Sequence, residues 1–523
     1  MKSQFTPSWR KPPAWLRFLV ISLLVLGIFF RFANLDKKIY WLDEVINSFR
    51  ISGYTSTELT QDIRNGDVIS IEDLRKYQRP SPEKDVIDVI KIVASEEPQN
   101  TPLYYIIARF WVQWFGNSVV VRRSLSALIS LLAFPCIYWL CLELFNSSLI
   151  GWMAIALIAI SPFHILYAQE VRQYGLWTVM ILLSSATLLQ AIRLQTKFSW
   201  VIYGVAVTLG LYTFPFTLFV IMGYGIYVIV IEGFRASKTV TAYLMSSGAA
   251  LFAFFPWLYF ILENSHKMGD WRAKEIGILP LIKIGILNLS RVFLDVEFSL
   301  IHSFKYFIPL ILILVIYSIY YLCINTPKQV WLFVVTLTGV TALALIFPDL
   351  VLGGRRSTVS RYLIPSYLGI QLAVAYLLST KITSSFTNSI EHKLWHIAIF
   401  FLISIGVLSC EISSPSQVSW NKYQSVDNLG IAPIINQADS PLLLSDGLVH
   451  DVISLSYLLD SKVRFQLTEQ STIPKIIDQF SDLFLFNCSN KFRAGIEKEL
   501  NYRIKPVYLN QLQLWKVVKV ESN

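Results

Sequence analysis

Long apolar runs separated by short polar breaks organise the first four-fifths of the chain. A membrane-spanning helix needs roughly 17–25 predominantly apolar residues. Runs at or near that length are Leu16–Phe32, Leu125–Phe145, Leu149–Leu166, Tyr174–Ile192, Phe198–Tyr212 and Phe216–Ile231. Tyr243–Leu262, Phe304–Ile324, Val330–Phe347, Tyr362–Leu378 and Leu394–Leu408 follow. The pattern predicts an all-α polytopic membrane protein with about eleven transmembrane helices.

After Leu408 the pattern changes. Strand-like runs (PLLLS, KVRFQL, DLFLF) alternate with helix-like ones (DVISLSYLL, TIPKIIDQF, FRAGIEKEL). Such alternation predicts a small α/β domain over 411–523, outside the membrane. It holds no glycine-rich phosphate loop and no nucleophile elbow. The expected division is therefore a membrane module over 1–410 and a tail domain after it. Within the module, 36–101 form a long, charged first loop that reads as solvated surface helices broken at Pro80 and Pro82. Pro102–Phe115 is apolar but short and contains Arg109, so it is expected to lie flat at the interface or to re-enter.

Composition sharpens this picture. Of 523 residues, 54% are hydrophobic and only 15% charged, against about 25% charged in soluble domains. The net charge of +10 needs no nucleic acid, because positive-inside loops and anionic lipid or phosphate partners account for it. With Arg10, Lys11 and Arg17 ahead of the first run, the N-terminus is expected in the cytoplasm. Arg193, Lys197, Arg235, Lys238, Lys328, Lys381 and Lys393 then fall on the same side. Arg122, Arg123 and Arg172 fall on the other, as do Arg355, Arg356 and Arg361 in LGGRRSTVSRYLIP. Short outer loops avoid arginine, and a guanidinium fork matches phosphate, so this cluster points to an anionic ligand.

Acids share that outer face. Asp43 and Glu44 sit just beyond the first run, and Gln169, Glu170, Arg172 and Tyr174 crowd the turn between the third and fourth. Carboxylates with arginines at a membrane surface suit transfer from a lipid-linked phosphate donor. One carboxylate acts as general base on an acceptor hydroxyl, and arginines stabilise the departing phosphate. A transporter or flippase of a lipid-linked sugar is the competing class. It would place ionisable groups near the membrane midplane rather than at one face.

The order WLDE, TPLYY…FG…VRRSLSAL, SPFHILYAQEVRQY and SRYLIP, spread over residues 16–380, resembles the GT-C glycosyltransferases. It is most similar to the family-39-like branch of protein O-mannosyltransferases and lipid A aminoarabinose transferases. The resemblance implies a polyprenyl-phosphate sugar donor, inversion at the sugar carbon, and an active site on the outer face of the plasma (inner) membrane, where the tail domain would also lie. By position it implies Asp43 as catalytic base with Glu44 beside it and Glu170 at the second acidic position. It places Arg361 and Tyr362 at donor phosphate, and Tyr104 and Tyr105 on the interfacial helix that walls the cavity. The acceptor, whether protein, lipid or glycan, is left open. The aminoarabinose branch implies a divalent metal, but Asn100-Thr101 departs from that pattern, so no cofactor is assigned. His164 reads as a structural histidine. The sequence leaves open whether Cys410 and Cys488 pair.

Overall fold

The computed structural model describes residues 14–267, 275–295, 302–383, 389–469, 472–475, 480–500 and 502–519. The chain forms two compact units. The first comprises Met1–Leu35, Val93–Tyr104 and Arg123–Pro415; the second, Asp36–Ile92, Tyr105–Arg122 and Ser416–Asn523.

The first unit is helical. Eight helices among the described residues are long and apolar enough to cross a membrane. They are Ala14–Phe32, Val119–Phe145, Tyr174–Leu194, Lys238–Glu263, Lys305–Asn325, Lys328–Val351, Ser360–Ile382 and Lys393–Ser413. The pair Ser148–Ala159 and Pro162–Ala168, bent by 63°, is apolar enough only when taken together, as a broken ninth span or a re-entrant loop. Lys197–Thr213 and Thr217–Ile231, of 17 and 15 residues, cover the two remaining apolar runs. The first unit is thus the all-α, polytopic membrane part of the protein. Phe18, Phe252 and Phe400 are each more than 70% exposed, as expected of side chains that face lipid rather than water.

The bent pair shows how a broken helix survives in an apolar setting. Pro162 at the start of its second helix has no amide N–H, and the break orphans carbonyls at the end of the first. Arg31, buried in the last turn of the first span, supplies the donors: Nη1 reaches Ala159 O at 2.9 Å and Nη2 reaches Ile158 O at 3.0 Å. Gly27 lets the two helices approach this closely, since a Cβ there would lie 2.4 Å from Ala159 O.

The second unit is built on a six-stranded sheet: β1 (Asn65–Ser70), β2 (Pro441–Ser445), β3 (Arg464–Thr468), β4 (Asp482–Phe486), β5 (Tyr502–Leu509) and β6 (Gln513–Lys519), in the order β1-β3-β2-β4-β6-β5. β2 runs parallel to β3 and β4, while the outer pairings are antiparallel. Central and parallel, β2 is buried at every position and reads PLLLS. Leu442, Leu444, Leu483, Leu485, Phe492 and Ile496 form its core. The three strand-like runs are β2, β3 and β4, and two helix-like runs become Val449–Ser456 and Asn490–Leu500. Much of TIPKIIDQF lies outside the described residues. β1 comes from the first loop, so 36–92 share a core with the tail.

Candidate active site

The first unit gathers most of the predicted site residues around the turn after Pro162–Ala168. The turn is held from three directions. Gln169 Nε2 donates to Phe30 O and Ala33 O at 2.7 and 2.8 Å, tying the turn to the end of the first span. Gln173 Nε2 donates to Asn100 Oδ1 at 3.0 Å. Tyr104 Oη shares a 2.8 Å hydrogen bond with Ser126 Oγ, which in turn lies 3.5 Å from Arg172 O. Glu170 and Arg172 are consequently fixed and buried, 1% and 8% exposed.

Tyr174, in the first turn of Tyr174–Leu194, is the centre of the cluster. Arg172 Nη2 donates to its hydroxyl at 3.0 Å, and the Arg172 Cζ lies 5.2 Å from its ring centroid. Arg361, distant in sequence, brings its Cζ to 5.6 Å from the same ring. Tyr362 stacks on Phe214 at 5.8 Å and meets Phe216 at 4.8 Å, which fixes the backbone bearing Arg361. Tyr167 Oη and Ser360 Oγ, 3.1 Å apart, close the arrangement. Both Arg361 and Glu170 lie within electrostatic reach of Tyr167. Two guanidinium groups held against one aromatic ring, in a part-buried setting with an acid nearby, form a surface suited to an anion.

Of the remaining arginines of this unit, Arg356 and Arg123 are held by structural partners. Arg356 Nη1 meets Asp349 Oδ1 at 3.1 Å. Arg355 opens the short turn Arg356–Thr358, its carbonyl accepting from Thr358 Oγ1 at 2.7 Å. Arg123 Nη1 donates to Leu35 O at 2.6 Å. His164 Nε2 and Gln371 Oε1 lie 2.9 Å apart, a packed pair. Among the described residues no group of three or more His, Cys, Asp and Glu side chains is placed to hold a metal ion.

Asp43, Glu44 and Tyr105 belong to the second unit. Asp43 and Glu44 occupy the first turn of the helix Leu42–Ser52, where carboxylates suit the positive end of the helix dipole. Glu44 is wholly buried, and its Oε2 accepts from Lys422 Nζ at 2.7 Å. Lys422 also donates to Ile39 O at 3.1 Å, and Ser425 Oγ accepts from Leu42 N at 3.1 Å. Tyr105 Oη donates to Asn47 Oδ1 at 2.9 Å on the same helix. Asp43 is partly exposed at this anchored helix start. Arg122, also in this unit, donates to Tyr457 Oη at 2.9 Å and to Gln78 O at 2.5 Å. Lys422 and Asp349 carried no local sequence signal, because each acts on a residue far along the chain or across a turn.

Comparison with known proteins finds likeness in sequence and in fold. Residues 98–260 match the family model described as dolichyl-phosphate-mannose-protein mannosyltransferase. The span includes Tyr104, Glu170, Arg172 and Tyr174. The fold is that of the GT-C membrane glycosyltransferases. ArnT from Cupriavidus metallidurans, in a crystal structure bound to undecaprenyl phosphate, superimposes with a TM-score of 0.51 at 10% identity, covering 97% of this chain and 98% of that one. The archaeal oligosaccharyltransferase AglB from Archaeoglobus fulgidus, in complex with an inhibitory peptide and a dolichol-phosphate, gives 0.50 at 12% identity, covering 87% of this chain and 65% of that one. No curated protein matches the chain by sequence.

Proposed function

We propose that the protein transfers a sugar from a polyprenyl-phosphate donor to an acceptor hydroxyl. The observation that carries this is the pair of guanidinium groups, Arg172 and Arg361, held over the Tyr174 ring. A lipid phosphate there would meet two fork-shaped donors. Asp43 is the general base. It takes the acceptor proton as the acceptor oxygen attacks the anomeric carbon, and the bond from that carbon to the phosphate oxygen breaks. The electron pair leaves on the polyprenyl phosphate, whose added charge the arginines stabilise. Glu170 orients the arginines electrostatically, and Tyr104 supports the turn that carries Arg172. Glu44 holds the helix that presents Asp43. The carrier lipids bound by ArnT and AglB, undecaprenyl phosphate and dolichol-phosphate, support a lipid-linked donor. The positive-inside pattern supports a cytoplasmic N-terminus and an outer-face site in the plasma membrane.

Donor consumption against donor concentration tests the arginine assignment. Arg172→Ala and Arg361→Ala are each expected to lower kcat/KM for a polyprenyl-phosphate sugar by roughly 10- to 100-fold, the worth of a charge-assisted contact. Unchanged kcat/KM in both variants removes the phosphate role.

A further inference from the structure

The segment between Lys328–Val351 and Ser360–Ile382 carries Arg355, Arg356 and Arg361, and one carboxylate fixes its shape. Asp349, near the end of Lys328–Val351, is 6% exposed. Its Oδ2 accepts from the Ser357 amide at 2.7 Å and from the Ser357 hydroxyl at 2.8 Å. Its Oδ1 accepts from Arg356 Nη1 at 3.1 Å, and Arg356 also donates to Gly353 O at 3.0 Å. Gly353 and Gly354, at φ of 73° and 134°, make the reversal that brings Ser357 back over Asp349. Farther along, Asn288 Nδ2 donates to Thr358 O at 2.8 Å. A buried carboxylate with three donors is a rigid anchor, because any movement of the loop would strand its charge.

We infer that Asp349 is a positioning residue for lipid-phosphate recognition. It touches no ligand; it holds the loop so that Arg361 stays over Tyr174, and it consumes Arg356 as its counterion. Arg361, not Arg356, is then the loop's phosphate ligand. The inference rests on the reading of Arg172, Tyr174 and Arg361 as the phosphate site.

The test uses the full chain in nanodiscs, titrated with undecaprenyl phosphate and with uncharged undecaprenol. The quantity read is the ratio of the two Kd values, which a general loosening of the fold would not move. Arg361→Ala is expected to reduce the preference for phosphate about 10-fold, the effect of roughly one lost charge-assisted contact. Asp349→Asn keeps an acceptor for Ser357 but sets an amide against Arg356. It is expected to reduce the preference by a similar factor, and the double variant no further, since both changes remove one contact. Asp349→Asn with the wild-type ratio, while Arg361→Ala lowers it, overturns the positioning role. A wild-type ratio in Arg361→Ala overturns the phosphate site itself. Should Asp349→Asn fail to fold, Ser357→Ala removes only the hydroxyl donor and is expected to lower the ratio about 3-fold. No change there overturns the positioning role equally.

Discussion

Replacing Lys422 by Met would expose what the Glu44–Lys422 pair does. Both side chains are 0% exposed and the ion pair is 2.7 Å long. Removing one partner of such a pair costs about 3–5 kcal/mol, because the other charge loses its compensation while still buried. That is a large share of a total stability of roughly 5–15 kcal/mol. The loss falls first on Leu42–Ser52, whose opening turn carries both Asp43 and Glu44. At about 1.4 kcal/mol per tenfold change, hydrogen exchange of its amides should speed up by at least about 100-fold. Exchange followed by mass spectrometry on the full chain in nanodiscs reads this directly. Adding Glu44→Gln to Lys422→Met removes the stranded charge and should restore most of the protection. The double variant should then keep substantial donor turnover, since Glu44 serves the fold. Unchanged exchange in Lys422→Met refutes the anchoring argument. A double variant that is protected but inactive would give Glu44 a chemical role instead.

Gly27→Leu forces a side chain into a gap where even a Cβ would lie 2.4 Å from Ala159 O. The melting temperature in detergent should fall, by at least the roughly 1–3 kcal/mol of an overpacked core, and an unchanged melt contradicts the close crossing. In the second unit, burial holds Asp451 up at about 6 and His450 down at about 4, so their effects on stability oppose between about pH 4 and 6. As pH falls, the folded state takes up a proton at Asp451 before the unfolded chain does and gains stability, whereas it refuses one at His450 and loses stability. Relative to wild type, Asp451→Asn should make the unit less tolerant of acid over that window and His450→Gln more tolerant. Parallel pH–stability curves for all three proteins would refute both assignments.

The spans were legible because a helix that meets lipid must be apolar along its length, which one run of sequence displays. The break at Ser161-Pro162 falls inside the apolar run Leu149–Leu166 and was not read from the sequence; that Arg31 caps it depends on a crossing of two helices. The strands β2, β3 and β4 showed themselves as apolar runs, while β1, reading NGDVIS in a charged stretch, pairs with a strand some four hundred residues later. β5 was hidden by Pro506 and the bulge beside it. At the site, Glu170, Arg172 and Tyr174 stand together in the sequence, so their grouping was visible. The meeting of Arg361 with Tyr174 is a matter of topology. Arginine bias alone did not distinguish Arg361 from Arg122, Arg123 and Arg356, because side of the membrane says nothing about which guanidinium the fold brings against the Tyr174 ring.

Separating chemistry from binding tests the proposed transferase most directly. Purified protein in nanodiscs would be given a panel of radiolabelled polyprenyl-phosphate sugars with membrane extract as acceptor source. Release of polyprenyl phosphate and donor binding would be followed on the same samples for wild type and Asp43→Asn. The account predicts that wild type consumes one donor of the panel, and that Asp43→Asn binds it with similar affinity but turns it over about 10²–10⁴-fold more slowly, the span expected for loss of a general base. Wild-type turnover by Asp43→Asn would contradict the assignment of the base, and binding without any turnover by wild type would contradict the transferase itself.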